Sequence, residues 1–330
     1  MSNENDKNNL EQTIKDIEKR FGQGSIMKLN SSKINKIPAT STGSFALDIA
    51  LEIGGFPKGR IIEIFGPESS GKTTLALHAI AESQKKGNSA VFIDVENALD
   101  PNYAHKIGVD IDNFYVSQPD SGEKALDIVE ACIKSGKIGL IVIDSVAALA
   151  PEAELKGESA DLFMGLHARM MGKAMRKQST IISKSNTTVI YINQLREKVG
   201  VMYGNPETTP GGKALKYFAS LRLDIRRSEF IKENNTIIGI KSYVKIVKSK
   251  ISSPFKGVFL DIIYGEGISK IGELLDLAVK LDLIQKSGTW YSFKEKKIGQ
   301  GRDKVKEFLL QNIEIAQDLE TKVKKHFGLI

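Results

Sequence analysis

Apolar positions along the chain fall into two rhythms, and the switch between them divides it. Near the start, Leu10, Ile14, Ile17 and Phe21 recur every three or four residues, which predicts an amphipathic helix through LEQTIKDIEKRFG. Its apolar stripe needs a cover. The glycine-broken FGQGS and the polar SSKINK set the helix apart, so the covering surface belongs to the core or to a neighbouring copy. From Arg60 the rhythm changes. Short β-branched runs, RIIEIFG, SAVFIDVE, NFYVSQ and GLIVIDS, are interleaved with the helical patterns TTLALHAIAESQKK and EKALDIVEACIKSG. Such interleaving predicts βαβ units and a mainly parallel sheet with helices on its faces. IIEIF, AVFI and LIVI are almost unbroken apolar runs, as strands covered on both sides are.

After the long segment MGLHARMMGKAMRKQSTIISKS and the strand TTVIYINQ, strands follow one another directly: SLRLDIRR, TIIGIKSYVKIVKS and KGVFLDIIYG. With no helix between them, they are expected as antiparallel additions at one sheet edge. From Ile271 helical patterns return around WYSFKEKKIG, which predicts a small α+β domain at the C-terminal end. The expected division is an N-terminal helical segment at 1–33, an α/β core at 34–269 and the small domain at 270–330. No internal repeat is evident.

Composition narrows the class. At 330 residues, with 41% hydrophobic and 26% charged, the chain suits one large core with small satellites. No apolar run nears the roughly 20 residues that span a bilayer, and MSNENDKNNLEQ lacks the features of a signal peptide, so no membrane association and a cytoplasmic location are expected. A single cysteine, Cys132, excludes an internal disulfide and is expected to be packed in the core. The net charge of +7 suits a polyanionic partner without proving one.

The sharpest chemical signal is Gly66, Pro67, Glu68, Ser69, Ser70, Gly71, Lys72, Thr73 and Thr74, between the strand IIEIF and a helix. Glycines let backbone amides wrap around phosphates at the positive end of the following helix, which is the phosphate-loop arrangement. Lys72 is expected against the β- and γ-phosphates of ATP, and the Thr73 hydroxyl on Mg2+. LIVI ends in Asp144, a carboxylate at the sheet edge where open α/β sheets bind ligands, which fits the magnesium-linked acid. AVFIDVE delivers Glu96 to the same edge as the candidate general base for hydrolysis. Asp94 shares its face but is given no chemistry. Gln194, ending TTVIYIN, is placed to sense the γ-phosphate and pass its position to the segment that follows.

GPESSGKTT, FIDVENALDP, LIVIDSVAAL, GVMYGNPETTPGGKALKY, RLDIRR and YGEGI together resemble the bacterial RecA family in order and spacing over nearly the whole chain. The resemblance implies a P-loop NTPase core of RecA type. It also implies a DNA-dependent ATPase that forms helical filaments on single-stranded DNA and exchanges strands with homologous duplex DNA, using ATP and Mg2+. Stimulated self-cleavage of a LexA-type repressor in an SOS response is implied as well. Asp100, Tyr103 and Tyr264 are implied adenine contacts. Two DNA-binding loops correspond to residues 157–164 and 195–209, with Met164 as an apolar wedge and Val199 where a bulkier residue is usual. Arg169, Arg176, Arg196, Lys198 and the Gly211 and Gly212 amides are the implied phosphate contacts. Lys248 and Lys250 are expected to reach the γ-phosphate of a neighbouring subunit, with Lys216, Tyr217 and Arg222 at that interface. The physics agrees: VGVMYGNPETTPGG cannot bury enough apolar surface to order alone and should fold around a bound strand.

Some residues depart from the family pattern. Glu197 puts a negative charge in the second loop, Leu162 and Phe163 make the first more apolar, and Asn97 stands where a histidine is expected. The sequence ends in HFGLI rather than in the family's acidic tail, which leads us to expect weaker autoinhibition and less dependence of duplex capture on free magnesium. A ring-forming helicase of the same superfamily, or an ATP-controlled scaffold, is the competing reading.

Overall fold

The computed structural model describes residues 2–26, 37–157, 165–197, 204 and 206–329. The chain divides into two compact units, Met1–Ile37 and Pro38–Ile330. In the first, α1 (Ser2–Phe21) begins well before its apolar rhythm does, because the polar leader contains no glycine or proline to interrupt a helix. Of its apolar positions, Leu10 is 60% and Phe21 68% exposed.

The second unit opens with the short antiparallel pair β1 (Ala39–Thr40) and β2 (Phe56–Pro57), which flanks α2 (Phe45–Ala50). The interleaved pattern then forms β3 (Ile61–Gly66), α3 (Lys72–Lys85), β4 (Ser89–Asp94), α4 (Pro101–Ile107), β5 (Phe114–Ser117), α5 (Gly122–Ser135) and β6 (Ile138–Asp144). After α6 (Glu152–Leu155) come α7 (Leu166–Ile182), β7 (Thr188–Gln194), the small pair β8 (Arg196–Glu197) and β9 (Glu207–Thr208), and α8 (Ala214–Phe218). β10 (Leu221–Glu233), β11 (Thr236–Ser249), β12 (Gly257–Ile263) and β13 (Gly267–Ile268) complete a nine-stranded sheet of order β13-β12-β11-β10-β3-β7-β6-β4-β5. From β10 to β5 neighbours run parallel; β11, β12 and β13 are added antiparallel at one edge, as the uninterrupted strands predict. The β10–β11 hairpin is longer than expected. Asn234 and Asn235 both take left-handed φ, 46° and 65°, a turn chemistry that suits the twist of paired strands.

Unbroken apolar strands make sense here, since alternate residues enter different cores. Ile62, Ile64 and Phe92 pack with Leu75 and Ile80 of α3, whereas Ile61, Ile93 and Ile141 pack with Val129 of α5 and Met175 of α7. Half-buried Cys132 packs against the second core.

The C-terminal pattern folds as α9 (Lys270–Lys280), the three-stranded meander β14 (Gln285–Ser287), β15 (Trp290–Phe293) and β16 (Lys296–Gln300), then α10 (Arg302–Gln311) and α11 (Ile313–His326), around their own apolar core. α9 stops before its apolar pattern does because Asp282 turns left-handed, at φ 55°, and the Leu283 and Ile284 amides turn back to Ala278 O. Asn312 splits the last helical pattern in two, its side-chain amide donating to Phe308 O at 2.8 Å. Two polar joints tie this part to the core. Ser44 Oγ and Phe45 N at the start of α2 donate to the Glu273 carboxylate of α9 at 2.7 and 2.8 Å, and Arg302 bridges Asp261 of β12 and Asp276 of α9, both at 2.8 Å. Among the described residues no helix is long and apolar enough to cross a membrane.

Candidate functional site

Parallel strands deliver their carboxyl ends to one edge, and the phosphate loop follows the central strand β3. Two of its glycines are dictated by close approach: a Cβ on Gly66 would lie 2.0 Å from Ile225 O, and Gly71 has φ +96° with a Cβ position 2.3 Å from Ile262 Cδ1. Ser242 Oγ of β11 donates to Ser70 O at 2.8 Å, and Ser70 Oγ donates to Pro67 O at 2.8 Å, so the loop is braced by the added strands. No side chain caps the start of α3, which leaves its first amides for an anion. Lys72 Nζ donates to Pro67 O at 2.6 Å. Burial lowers the Lys72 pKa, opposed by the carboxylates of Asp144, Glu96 and Glu68, so the ammonium sits in a distinctly acidic surround.

Thr73 Oγ1 donates to Asp144 Oδ2 at 2.6 Å across from the loop. Burial pushes Asp144 up to about 6; the Thr73 hydrogen bond opposes this, and the charge of Glu96 adds to it. A hydroxyl and a carboxylate in contact are hard oxygen donors of the kind Mg2+ takes, with phosphate and water oxygens completing the shell. Among the described residues no cluster of three or more His, Cys, Asp or Glu could hold a metal ion. Glu96 lies exposed at the same edge and accepts hydrogen bonds from Ser145 Oγ and, at 3.0 Å, from Gln194 Nε2. The structure thus brings the candidate base, the candidate sensor and the residue after Asp144 together. Asn97 occupies a left-handed position, φ 55°, which asparagine tolerates well. Asp94 is buried and accepts from Ala98 N, Leu99 N and Gln118 Nε2, a loop-bracing role that leaves it no chemistry.

Of the expected adenine contacts, Tyr103 OH meets Thr74 Oγ1 at 2.9 Å, and Asp100 caps α4 by accepting from Asn102 N at 2.8 Å. Half-exposed Tyr264 lies on a cavity of about 950 Å³ whose wall includes His78 of α3 and Ile107 of α4.

Of the expected DNA contacts, Arg169 and Arg176 are exposed on α7, whose opposite face buries Met171 and Met175. Gly211 and Gly212, at φ +85° and +74°, press against the start of α7: a Cβ on Gly212 would lie 2.8 Å from Ala168 Cβ. Arg196 is exposed on β8 opposite Thr208, while Glu207 of β9 is gripped by Arg226 Nη1 at 3.0 Å and Nη2 at 2.5 Å. Glu197 lies across from Glu207. Met164, Lys198, Val199, Leu162 and Phe163 fall outside the described residues. Lys248 Nζ donates to Lys216 O at 2.6 Å and Tyr217 O at 2.9 Å, and Lys250 Nζ to Tyr217 O at 3.4 Å, so both cations meet the carbonyl end of α8. Burial lowers the Lys248 pKa, and the charges of Lys250 and Arg222 add to this. Tyr217 itself is 68% exposed.

Residues 8–269 match the family model of the RecA N-terminal domain, and residues 272–328 that of the RecA C-terminal domain. Protein RecA of Phytoplasma mali (strain AT) is 66% identical over 322 residues, covering 97% of this chain and 95% of that protein. Protein RecA of Acholeplasma laidlawii (strain PG-8A) is 60% identical over 329 residues, covering 100% and 99%. The chain belongs to the RecA family. Membership of the RecA family supports a role in DNA recombination and repair, with DNA and ATP bound and copies associating.

Against that RecA-family background, sequence reasoning missed Ser145, which donates to Glu96 at the site, and a buried pair behind the site, Asn193 with Glu63. A signal existed for Glu63, the lone charge within an apolar strand buried on both faces. Ser145 and Asn193 gave none, since their partners lie on other strands.

Proposed function

We propose that this chain is an ATP hydrolase driven by single-stranded DNA, which it coats as a helical filament and pairs with homologous duplex DNA. One observation carries the reading: Gln194 Nε2 donates to Glu96 Oε1 at 3.0 Å. It joins the strand-end carboxylate beside the phosphate loop to the residue from which segment 195–209 departs.

In this reading the loop amides of 66–74 and Lys72 hold the ATP phosphates, and Asp100, Tyr103 and Tyr264 border the adenine. Thr73 and Asp144 would hold Mg2+, which when bound neutralises charge on the phosphates. Glu96 accepts a proton from the attacking water, with Ser145 holding its carboxylate. When Gln194 turns toward a γ-phosphate it releases Glu96 and moves the root of the following segment. Arg169, Arg176, Arg196, Lys198 and the Gly211 and Gly212 amides neutralise the DNA backbone without reading sequence, and Met164 and Val199 enter a base step. Lys248 and Lys250 of a neighbouring copy stabilise charge on the transferring phosphate, so hydrolysis needs assembly. A LexA-type repressor responding to the filament, and a cytoplasmic location, belong to the same reading.

The test is Glu96→Gln. Without a proton acceptor, turnover should fall by about 100-fold or more, while electron microscopy still shows ATP-dependent filaments on single-stranded DNA. Turnover at the normal rate in that variant would remove Glu96 from the role of base.

A further inference from the structure

The most demanding group outside the residues assigned above is Glu63. It lies within β3, 0% exposed, in a strand that is otherwise apolar. A carboxylate there is costly unless it is both paired and hydrogen-bonded. Two strands supply what it needs. Arg222 Nε of β10 meets its Oε2 at 2.5 Å, and Asn193 Nδ2 of β7 donates to its Oε1 at 3.1 Å.

The two partners lead in opposite directions. The Asn193 amide nitrogen also donates to Pro210 O at 3.2 Å, just past the end of segment 195–209, and Asn193 Oδ1 accepts from Gln194 N at 3.0 Å. Both amide hydrogens of Asn193 are therefore used, one on Pro210 and one on Glu63. Arg222 has its guanidinium over the Phe65 ring, 4.6 Å from the centroid, and faces Lys248 across the β10–β11 register. Lys248 donates to the α8 carbonyls of Lys216 and Tyr217, and Lys216 Nζ reaches back to Thr208 Oγ1 of β9 at 3.4 Å.

We infer that Glu63 is a positioning residue, holding Asn193 and Arg222 in one buried polar unit so that the position of Pro210 sets the placement of Lys248. A shift of Pro210 turns the Asn193 amide, which is also bonded to Glu63. Glu63 cannot part from Arg222 without leaving a charge buried and unpaired, so the three move together. The inference rests on the proposed DNA-driven hydrolysis, and adds the route by which the DNA segment reaches the cation.

Glu63→Gln keeps the shape and removes the charge; Asn193→Ala leaves the Glu63–Arg222 pair whole and removes the bonds that Asn193 makes to Glu63, Pro210 and the Gln194 amide. ATP turnover would be measured with and without single-stranded DNA, alongside the KM for ATP, the affinity for a labelled oligonucleotide and the thermal midpoint. In each variant the DNA-saturated kcat should fall about tenfold, with DNA-free turnover, KM and oligonucleotide affinity kept. Because both lie on one route, the double variant should be no worse than the poorer single one. A merely structural Glu63 would lower the thermal midpoint and disturb KM together, with stimulation kept. Full stimulation in Asn193→Ala, or losses that multiply in the double variant, would overturn the inference. If Glu63→Gln does not fold, Asn193→Ala decides alone. Wild-type turnover indifferent to DNA would instead overturn the proposed function, and the inference with it.

Discussion

Single residues at the nucleotide edge are constrained in two distinct ways, by chemistry and by space. That Lys72, Thr73, Asp144 and Glu96 meet at one edge was legible in the sequence, because a parallel sheet delivers every strand's carboxyl end to the same edge, whatever the strand order. Glu63, Asn193 and Ser145 were not, because their partners become neighbours only once β3 is known to lie between β10 and β7, and β6 beside β4. Space decides Gly66. Its Cβ would strike the Ile225 carbonyl, backbone of β10 that cannot rotate away, whereas the clash at Gly71 is with the tip of Ile262. Gly66→Ala should therefore destabilise the protein by ~2 kcal/mol and weaken ATP binding, as denaturant unfolding and nucleotide titration would reveal. An unchanged midpoint would mean that β10 yields more easily than its position suggests.

Elements were read well where their rhythm was long and poorly where a local polar group intervened. The antiparallel edge and the βαβ alternation follow from apolar period alone, but the break at Asn312 depends on one side-chain amide satisfying Phe308 O, and the early end of α9 on one left-handed aspartate. The α2–α9 joint was likewise invisible, since Ser44 and Glu273 are far apart in sequence. Burial there pushes Glu273 up to about 7, against the lowering effect of the bonds from Ser44 and the Phe45 and Ala46 amides. Asp48, bonded to Ser41 and Thr42 in the same region, is pushed by burial up to about 6. Both values are raised above the ordinary carboxylate range, so the folded chain keeps protons that the unfolded chain has released. Their contribution to stability is complete below about pH 4 and is lost as pH rises through about 6 to 7. Glu273→Gln mimics the protonated acid, with its amide donating to Ser44 Oγ and its carbonyl accepting from Phe45 N. Its thermal midpoint should exceed that of the wild type by ~3 °C at pH 8 and converge with it near pH 5. A variant less stable at pH 8 would show that Glu273 works there as a charged cap.

At the scale of the whole molecule, the basic balance of +7 suits a partner of opposite charge. The charge suggested a polyanion, but only the geometry around Glu96 and Gln194 connects that partner to nucleotide. Assembly was the least legible level, because an apolar stripe in a sequence does not say what covers it. In the isolated chain Lys248 and Lys250 meet its own α8, while in the proposed filament they serve the next nucleotide. The measurement that bears most directly on this coupling is steady-state ATP turnover of the purified protein as single-stranded DNA is titrated in. The rate should climb with occupancy and saturate ~100-fold above the DNA-free rate; a flat line, with nucleotide bound throughout, would contradict it.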